Sequence, residues 1–333
     1  MFLRRYTSAD QVVWDQFIRD SKNGTFLFER GYMDYHSDRF SDHSLLCYGD
    51  KGKLLAVLPA NEVLTPRPVL YSHQGLTYGG FILHRHTHTA EVMQLFDATL
   101  LYLHEQGFCE WHYKVMPTLY HRLPAEEDRY ALWRNGAQVE ACNISCTLDL
   151  RADSDMMVNA DASRRHRYRL AQQEGMRLLK GGRDLPADEA LRRFWPIMEQ
   201  NMQARYGATP VHTLDEMLLL QRRFPRQIRC YLVVTADGQT LAGEVLYVSQ
   251  QVAHAQYGHC SPEGRQRGAL DFLYLSLIQH FTDHEIQIRY FDFGTSNEQQ
   301  GRILNESLIA QKEGFGGRGV ACPTYVLQIP QCL

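Results

Sequence analysis

The sequence predicts an α/β (α+β) protein of two tandem domains, each a mixed twisted sheet flanked by helices. The chain has 333 residues, more than one ordinary domain, so two domains are expected. Runs rich in β-branched and aromatic residues alternate with segments whose apolar residues recur at helical spacing. Both halves of the chain show the same order of these elements. We therefore place the domains at residues 1–150 and 151–333.

The composition is that of an ordinary soluble globular protein, with 44% hydrophobic and 22% charged residues. The net charge of −3 argues against general affinity for nucleic acid and against a DNA partner. No apolar run is long enough to predict a membrane span. The eight cysteines are scattered, and the N-terminus lacks the apolar core of a signal peptide. These features predict reduced thiols and a cytoplasmic protein.

The first half reads as a helix, a hairpin, a glycine-rich extended stretch and then an alternation of helices and strands. Helices are predicted from apolar spacing, and strands from β-branched runs that turn residues bound. The predicted elements cover residues 12–21, 44–48, 54–64, 69–83, 89–106, 109–116, 126–135 and 139–150. Gly107 and Gly136 end two of the helices, because glycine commonly follows the last helical residue.

The second half repeats this order after an insertion of helices. Its predicted elements cover residues 228–235, 240–249, 252–259, 267–281, 285–293, 301–313 and 324–329. Gly52, Leu55 and Ala56 of the first hairpin align with Gly238, Leu241 and Ala242 of the second at one common offset. One short identity of this kind is weak evidence, but a matching order of elements over ~100 residues indicates a tandem duplication.

A basic helix is predicted between the halves, over residues 162–175. It carries Arg164, Arg165, Arg167 and Arg169 before Gly175 ends it. Such a run of charge is often only a solvated face. The functional alternative is that Arg164 and Arg167 hold a phosphate-bearing substrate, because the planar guanidinium can bind a phosphate through two hydrogen bonds.

A polar cluster follows the predicted strand 285–293. Asp292 lies at the end of that strand, and the loop Gly-Thr-Ser-Asn comes next. Asn305 and Lys312 lie two turns apart on the predicted helix 301–313 and so should share one face. Reactive groups of α/β proteins commonly lie where a strand gives way to a loop. The alternative is that Asp292 caps the loop and Lys312 is a solvated cation at a helix end.

These segments together resemble the GNAT acyltransferases, and their tandem arrangement resembles the Fem-type branch of that superfamily. The likeness lies in the basic helix, in Leu241-Ala242-Gly243-Glu244-Val245-Leu246-Tyr247, and in Tyr290-Phe291-Asp292-Phe293 with Asn305, Lys312 and Phe315-Gly316-Gly317. The resemblance implies an acyltransferase whose second domain binds the donor. It also implies that the first domain has lost cofactor binding and shapes the acceptor side.

The GNAT resemblance further implies a pyrophosphate loop before the helix 267–281. Arg265, Gln266, Arg267, Gly268 and Ala269 occupy that place, and loop amides with a helix N-terminus suit an anion. The match is partial, because Leu270 stands where a second small residue is expected. An ordinary connection between strand and helix is the alternative. The corresponding segment of the first half has no glycine.

Acyl transfer to an amine needs a neutral nucleophile, an oriented carbonyl and a donor for the oxyanion. The resemblance makes Lys312 the cationic donor. Asp292, Glu244 and His259 are candidate bases, and Tyr257 is a candidate proton donor to the leaving group. Glu244 could equally be a surface carboxylate of a strand, and Tyr257 a packed aromatic.

The remaining candidates concern the acceptor and metals. Asn305 shares the predicted face of Lys312, and His73 and Tyr78 flank the glycine-rich stretch of the first half, so all three are predicted to contact substrate. His84, His86 and His88 alternate, but no further ligand is near them in the sequence, so no metal is predicted.

The function predicted is transfer of an acyl group from acyl-CoA to an amine of a cell-surface polysaccharide or glycolipid precursor. The alternatives are an aminoacyl-tRNA-dependent aminoacyltransferase acting on a peptidoglycan-type precursor, with tRNA as partner, and a non-catalytic binding protein of the same fold.

Overall fold

The computed structural model describes residues 1–152 and 156–329, and the chain divides into two compact units. Unit 1 comprises Met1–Ile144, Asn297–Ile303 and Ala321–Leu333, and unit 2 comprises Ser145–Ser296 and Leu304–Val320. The first change of unit falls between Ile144 and Ser145. The chain later returns to unit 1 twice, at Asn297 and at Ala321. The division into 1–150 and 151–333 did not predict these two returns.

Helices in the described residues are α1 (Gln11–Asp20), α2 (Arg30–Met33), α3 (Thr89–Glu105), α4 (Glu127–Arg134), α5 (Ala162–Gln173), α6 (Ala187–Tyr206), α7 (Leu214–Arg223), α8 (Pro262–Gln266), α9 (Ala269–His284) and α10 (Glu306–Glu313). Strands are β1 (Phe2–Arg5), β2 (Ser41–Asp42), β3 (Leu45–Tyr48), β4 (Leu54–Leu58), β5 (Asn61–Val63), β6 (Val69–Tyr71), β7 (Ile82–Leu83), β8 (Glu110–Lys114), β9 (Gln138–Asp149), β10 (Arg177–Lys180), β11 (Ile228–Val234), β12 (Thr240–Val248), β13 (Val252–Cys260), β14 (Tyr290–Thr295), β15 (Asn297–Glu298), β16 (Ile303–Leu304) and β17 (Arg318–Gln328).

Unit 1 combines strands and helices, as the sequence predicts. Its strands β1, β3, β4 and β7 form an antiparallel sheet in that order. Its strands β17, β8, β6, β5 and β2 are also neighbours in that order, with β6 and β8 parallel. Phe96 of α3 packs against Trp111 of β8, and both are fully buried. Burial of such large rings is the main stabilising contribution to this core.

Unit 2 has the strand order β10, β11, β12, β13, β14 and β9. Only β13 and β14 are parallel among these pairs. Gly243 of β12 lies against Phe194 of α6, whereas the next residue, Glu244, bonds Tyr274 of α9. Because successive strand residues point to opposite faces, α6 and α9 cover opposite faces of this sheet.

Local sequence explains several element bounds in unit 2. The side chain of Thr213 accepts a hydrogen bond from the amide of Glu216 and so begins α7, and Ser261 begins α8 in the same way. Gly207 ends α6 in the left-handed conformation, with φ of 58°. The predicted helix 301–313 is shorter than expected: it begins at Glu306, and Gly301 belongs to a short 3₁₀ turn.

Three further findings concern the predictions from composition. None of the helices in residues 1–152 and 156–329 combines the length and apolar character needed to cross a membrane. Cys47, Cys142, Cys146 and Cys230 are free thiols. Cys109 is disulfide-bonded, so the prediction of reduced thiols does not hold throughout the chain.

Candidate functional site

The parallel strands β13 and β14 separate part-way along their length. They pair from Val252 with Tyr290 to His254 with Asp292. Beyond that pair β13 runs on to Cys260 and β14 to Thr295. We call the opening between residues 255–260 and 293–295 the strand gap. Backbone groups that line such an opening can hold an extended ligand by hydrogen bonds, because they are not used in pairing these two strands.

Lys312 lies at the strand gap in the last turn of α10. Its Nζ donates hydrogen bonds to the carbonyl oxygens of Gly294, at 2.9 Å, and Thr295, at 2.6 Å. An ammonium has three donors, so one N–H remains for a further acceptor. Burial lowers the pKa of Lys312 to about 8, and the negative charge of Asp292 opposes this shift. The side chain therefore remains mainly cationic at neutral pH.

Glu244 is fully buried on β12. Tyr274 of α9 donates a hydrogen bond to its Oε2 at 3.0 Å, while its buried Oε1 has no hydrogen-bond partner. Burial raises the pKa of Glu244 to about 8, partly offset by the Tyr274 hydrogen bond and the Lys312 charge. Glu244 is therefore mainly a neutral carboxylic acid at neutral pH, which excludes the alternative of a surface carboxylate.

Asp292 is the most extensively bonded carboxylate of the site. Its Oδ1 accepts hydrogen bonds from Ser145 Oγ at 2.6 Å, Thr147 Oγ1 at 3.1 Å and the Gly294 amide at 3.0 Å. Its Oδ2 lies 2.9 Å from Nδ1 of His254. Sequence reasoning named Asp292 but missed His254. The pairing of His254 with Asp292 follows from strand register, which no short motif in the sequence encodes.

Tyr257 and His259 lie on the face of the sheet opposite Glu244. His259 pairs with Gly243, which faces α6, and directly paired residues project to the same side. Tyr257 Oη lies 2.6 Å from Nδ1 of His212, which is also buried. Burial raises the pKa of Tyr257. The sequence-predicted catalytic set is thus divided between two faces, and His212 is a contact that sequence reasoning missed.

The predicted pyrophosphate loop contains the short helix α8 rather than an open loop. Arg265 donates to Asn201 at 3.1 Å, and Arg267 bonds Glu174 at 2.8 Å and Glu263 at 2.9 Å. Gln266 is exposed and Ala269 is buried at the start of α9. Gly268 precedes α9 with φ of 72°, a conformation that favours glycine.

Arg164 and Arg167 both bind Asp271 in the first turn of α9. Arg164 Nη1 lies 2.7 Å from Asp271 Oδ1, and Arg167 Nε lies 2.7 Å from Oδ2. The Arg164 guanidinium also lies over the ring of Phe315, 4.7 Å from its centroid. Two residues predicted to bind substrate therefore attach the basic helix α5 to α9. Their paired charges exceed that of Asp271 by one.

The other predicted substrate contacts have local structural roles. Asn305 caps α10 by accepting a hydrogen bond from the Leu308 amide at 3.0 Å, so it does not share a helical face with Lys312. In unit 1, His73 is buried with φ of 72° and stacks on His36. Burial lowers the pKa of His73 to about 3. Tyr78 is buried, with its hydroxyl 3.2 Å from that of Thr25.

Across the described parts of the chain, no group of three or more His, Cys, Asp or Glu side chains is placed to hold a metal ion. His88 instead caps α3 in a reciprocal arrangement with Glu91.

Comparison with known families identifies the middle of the chain. Residues 161–300 match the family model described as acetyltransferase (GNAT) domain. These residues include the strand gap and the α9 N-terminus. This part of the chain is a GNAT domain. No curated protein matches the sequence significantly.

Solved structures extend the likeness to the whole chain. The crystal structure of FemX has a TM-score of 0.70 at 12% identity, covering 99% of this chain and 98% of that chain. L-PGS from Bacillus licheniformis has a TM-score of 0.60 at 12% identity, covering 98% and 92%. A tandem GNAT protein from the clavulanic acid biosynthesis pathway has a TM-score of 0.52 at 14% identity, covering 98% of both chains. The predicted tandem-GNAT, Fem-type fold is confirmed, and with its GNAT domain the chain is an acyltransferase.

The N-terminus of α9 meets the requirements of a GNAT phosphate site in part. First-turn amides of a helix have no partner inside the helix, and the side chain of Arg167 lies against Gly268 just before this turn. Arg164 and Arg167 neutralise Asp271, the acidic group of this turn. The residues present are thus compatible with a phosphate or pyrophosphate at this helix end.

Proposed function

We propose that the protein is an N-acyltransferase that moves an acyl group from acyl-CoA to an amine of a cell-surface polysaccharide or glycolipid precursor. We place the reaction in the cytoplasm, where acyl-CoA is available. The observation that carries the proposal is the position of Lys312, whose Nζ has one unused N–H beside the strand gap. The α9 N-terminus and Gly268 supply a compatible phosphate site on the same domain.

The reaction needs the acyl carbonyl to lie where charge can be stabilised as the amine attacks. Lys312 is already oriented by the Gly294 and Thr295 carbonyls. It therefore needs little reorganisation to donate its third N–H to a developing oxyanion. Glu244 retains its proton at neutral pH and adds no negative charge that would oppose this anion. Expulsion of the leaving group then completes the transfer, with Tyr257 proposed as its proton donor.

The proposed donor site involves the arginines and backbone before α9. Gly268 and the amides of the first turn of α9 would hold the phosphates, with Arg265, Gln266 and Arg267 at the rim and Ala269 beginning the helix. A bound acyl-CoA would supply an activated thioester carbonyl. In unit 1, His73 and Tyr78 remain proposed acceptor contacts, and Asn305 and His259 remain proposed contacts in unit 2.

Aminoacyl-tRNA is the alternative donor, with a peptidoglycan-type precursor as acceptor. The alternative is supported by the basic helix α5, where Arg169 is exposed and the two arginines on Asp271 leave excess positive charge. Calorimetric titration with coenzyme A at moderate salt discriminates between the donors. Binding of coenzyme A supports the proposal. Absence of that binding, with tRNA binding that weakens steeply as salt rises, would reverse the choice of donor.

Gly268→Ala and Gly175→Ala provide a matched pair for this titration. Both glycines have left-handed φ, 72° and 77°, so both substitutions introduce similar backbone strain. Only Gly268 lies at the proposed phosphate site. We expect coenzyme A affinity to fall at least tenfold in Gly268→Ala and to remain within about twofold in Gly175→Ala. Equal affinities would place the phosphates elsewhere. Binding of neither donor, with no transfer activity, would favour the non-catalytic binding protein.

A further inference from the structure

His254 and Asp292 form a pair at the point where the strand gap begins. They are the last directly paired residues of β13 and β14. Phe291 and Phe293 both contact Tyr274 of α9, so Asp292, between them, points to the opposite face of the sheet. His254 shares that face, as do Tyr257 and His259 further along β13. The pair therefore lies on the face of the gap opposite α9.

Asp292 is held in place and cannot readily turn away from His254. Three donors occupy its Oδ1, and Nδ1 of His254 lies 2.9 Å from its Oδ2. The carboxylate is almost completely buried, at 4% exposure, whereas His254 retains 14%. The imidazole is thus partly accessible while its partner is not. A buried acceptor of this kind fixes both the orientation and the tautomer of a histidine ring.

The tautomer follows from the hydrogen bonds. A carboxylate only accepts, so Nδ1 of His254 carries the proton that Asp292 accepts. Nε2 of the neutral ring then has a free lone pair. The ring lies against Gly294, since a Cβ built on that glycine would be 3.4 Å from Cε1 of His254. Gly294 also binds Lys312 through its carbonyl oxygen, so His254 and Lys312 contact the same residue.

We propose that His254 Nε2 is the base that removes a proton from the acceptor ammonium, with Asp292 as its positioning residue. The inference rests on the proposed acyl transfer. The N–H bond of the ammonium breaks, its proton passes to Nε2, and the nitrogen lone pair forms the new C–N bond. The bond between the acyl carbon and the donor oxygen or sulfur then breaks, and its electron pair leaves with the donor, which gains the second proton that the attacking nitrogen loses as the amide forms. The charge of the imidazolium is stabilised by Asp292.

The groups around His254 are compatible with this role. Asp292 of β14 accepts the hydrogen bond of Nδ1, and Lys312 of α10 interacts electrostatically with Asp292. Tyr247 of β12 is paired with His254 of β13, and the Tyr247 hydroxyl contacts Met217. Ser145 and Thr147 of β9 do not titrate. Glu244 is a weaker candidate for base because it is fully buried on the other face and bonded to Tyr274.

The choice of acceptor tests the role directly. We compare single-turnover transfer from acetyl-CoA to glucosamine, which is largely protonated at neutral pH, with transfer to hydroxylamine, which is largely neutral. Because His254→Ala lacks the base, its single-turnover rate should be about 10²-fold or more below the wild-type rate with glucosamine. With hydroxylamine its rate should fall less than fivefold. Imidazole in solution should restore part of the glucosamine rate. Similar losses with both acceptors would overturn the proposal, because a structural role affects both.

The exposed His284 supplies the control, and His284→Ala should match the wild type with both acceptors.

A spectroscopic measurement keeps the inference testable if the donor is not acetyl-CoA. In protein labelled with ¹⁵N-histidine, His254 should show a protonated Nδ1 and an unprotonated Nε2 at neutral pH. Asp292→Asn should shift the population towards the other tautomer. A wild-type ring protonated on Nε2 alone would overturn the assignment of His254 as base. Absence of wild-type transfer from both acetyl-CoA and aminoacyl-tRNA would instead contradict the proposed function. The tautomer measurement would then still test whether His254 donates its Nδ1 proton to Asp292.

Discussion

Gly258 of β13 lies directly opposite Glu244 of β12, and there is no space for a side chain at the glycine. A Cβ built there would overlap both Glu244 Oε2 and Tyr274 Oη. The glycine thus allows the carboxyl group and the phenol to meet beneath the strand. A buried carboxyl that keeps its proton costs less than a buried carboxylate. This explains how a glutamic acid is tolerated between a sheet and a helix.

The first prediction concerns Gly258→Ala. The added methyl should displace Tyr274 from Glu244 and lower the free energy of unfolding by about 1–3 kcal/mol, the usual cost of overpacking. Urea denaturation measures this loss. The double variant Gly258→Ala with Tyr274→Phe removes one of the two overlapping atoms, so its loss should be smaller than the sum of the single losses. Additive losses would mean that the two residues do not compete for space.

The second prediction concerns the pH dependence of stability. The pKa of Glu244 rises from 4.5 to about 8 on burial, so the folded state binds more protons between these values. The stabilising contribution is complete below pH about 4.5 and is lost as pH rises towards about 8, by at most ~1.4 kcal/mol per pH unit. Glu244→Gln should flatten this decline, as measured by urea denaturation between pH 5 and 8. The exposed Glu105 gives a control, Glu105→Gln, that should retain the wild-type slope. An unchanged slope in Glu244→Gln would contradict burial as the cause.

The third prediction separates structural from exposed arginines on α5. Arg164→Ala removes a hydrogen-bonded ion pair with Asp271 and a ring contact with Phe315. We expect it to lower the free energy of unfolding by about 1–3 kcal/mol. Arg169→Ala changes an exposed side chain and should stay within about 0.5 kcal/mol of the wild type. Equal stabilities of the two variants would leave Arg164 available for substrate.

The repeated order of elements was readable from the sequence because apolar periodicity reports which faces are buried. Asp292 was identified through its position where a strand gives way to a loop, and Glu244 and Lys312 through the resemblance to the Fem-type branch. The partners of these residues were not predictable in the same way. His254 meets Asp292 only through strand register, and Arg164 meets Asp271 only through packing of α5 on α9. Both contacts join residues far apart in the sequence, which local patterns do not encode.

The shared helical face of Asn305 and Lys312 was wrong for a local reason. Asn305 lies outside the helix because its side chain accepts a hydrogen bond from the Leu308 amide, which makes Asn305 the N-cap of α10. Asparagine competes for backbone hydrogen bonds in this way and is preferred at such positions. The residue type at position 305 therefore allowed a helix N-cap there, whereas the spacing of the apolar residues alone favoured a helix that begins earlier.

The last prediction concerns Lys312 and divides its structural from its chemical role. Lys312→Met removes two hydrogen bonds to the Gly294 and Thr295 carbonyls, so a loss of about 1–2 kcal/mol in stability is expected. It also removes the proposed oxyanion donor, which should lower the single-turnover rate by about 10²- to 10³-fold. Gln311→Ala, at the neighbouring position, should change neither quantity appreciably. A rate loss below about tenfold in Lys312→Met would contradict the catalytic role.

The pH profile gives an independent readout of the same residue. Burial lowers the pKa of Lys312 to about 8, so the cation is lost as pH rises through that value, and the wild-type rate should fall on the alkaline side. Lys312→Arg keeps its charge at higher pH but places a planar fork where an ammonium stood. It should therefore show a low rate without the alkaline fall. A full rate in Lys312→Arg would mean that charge alone suffices, and an alkaline fall that persists in Lys312→Met would assign that titration to another group.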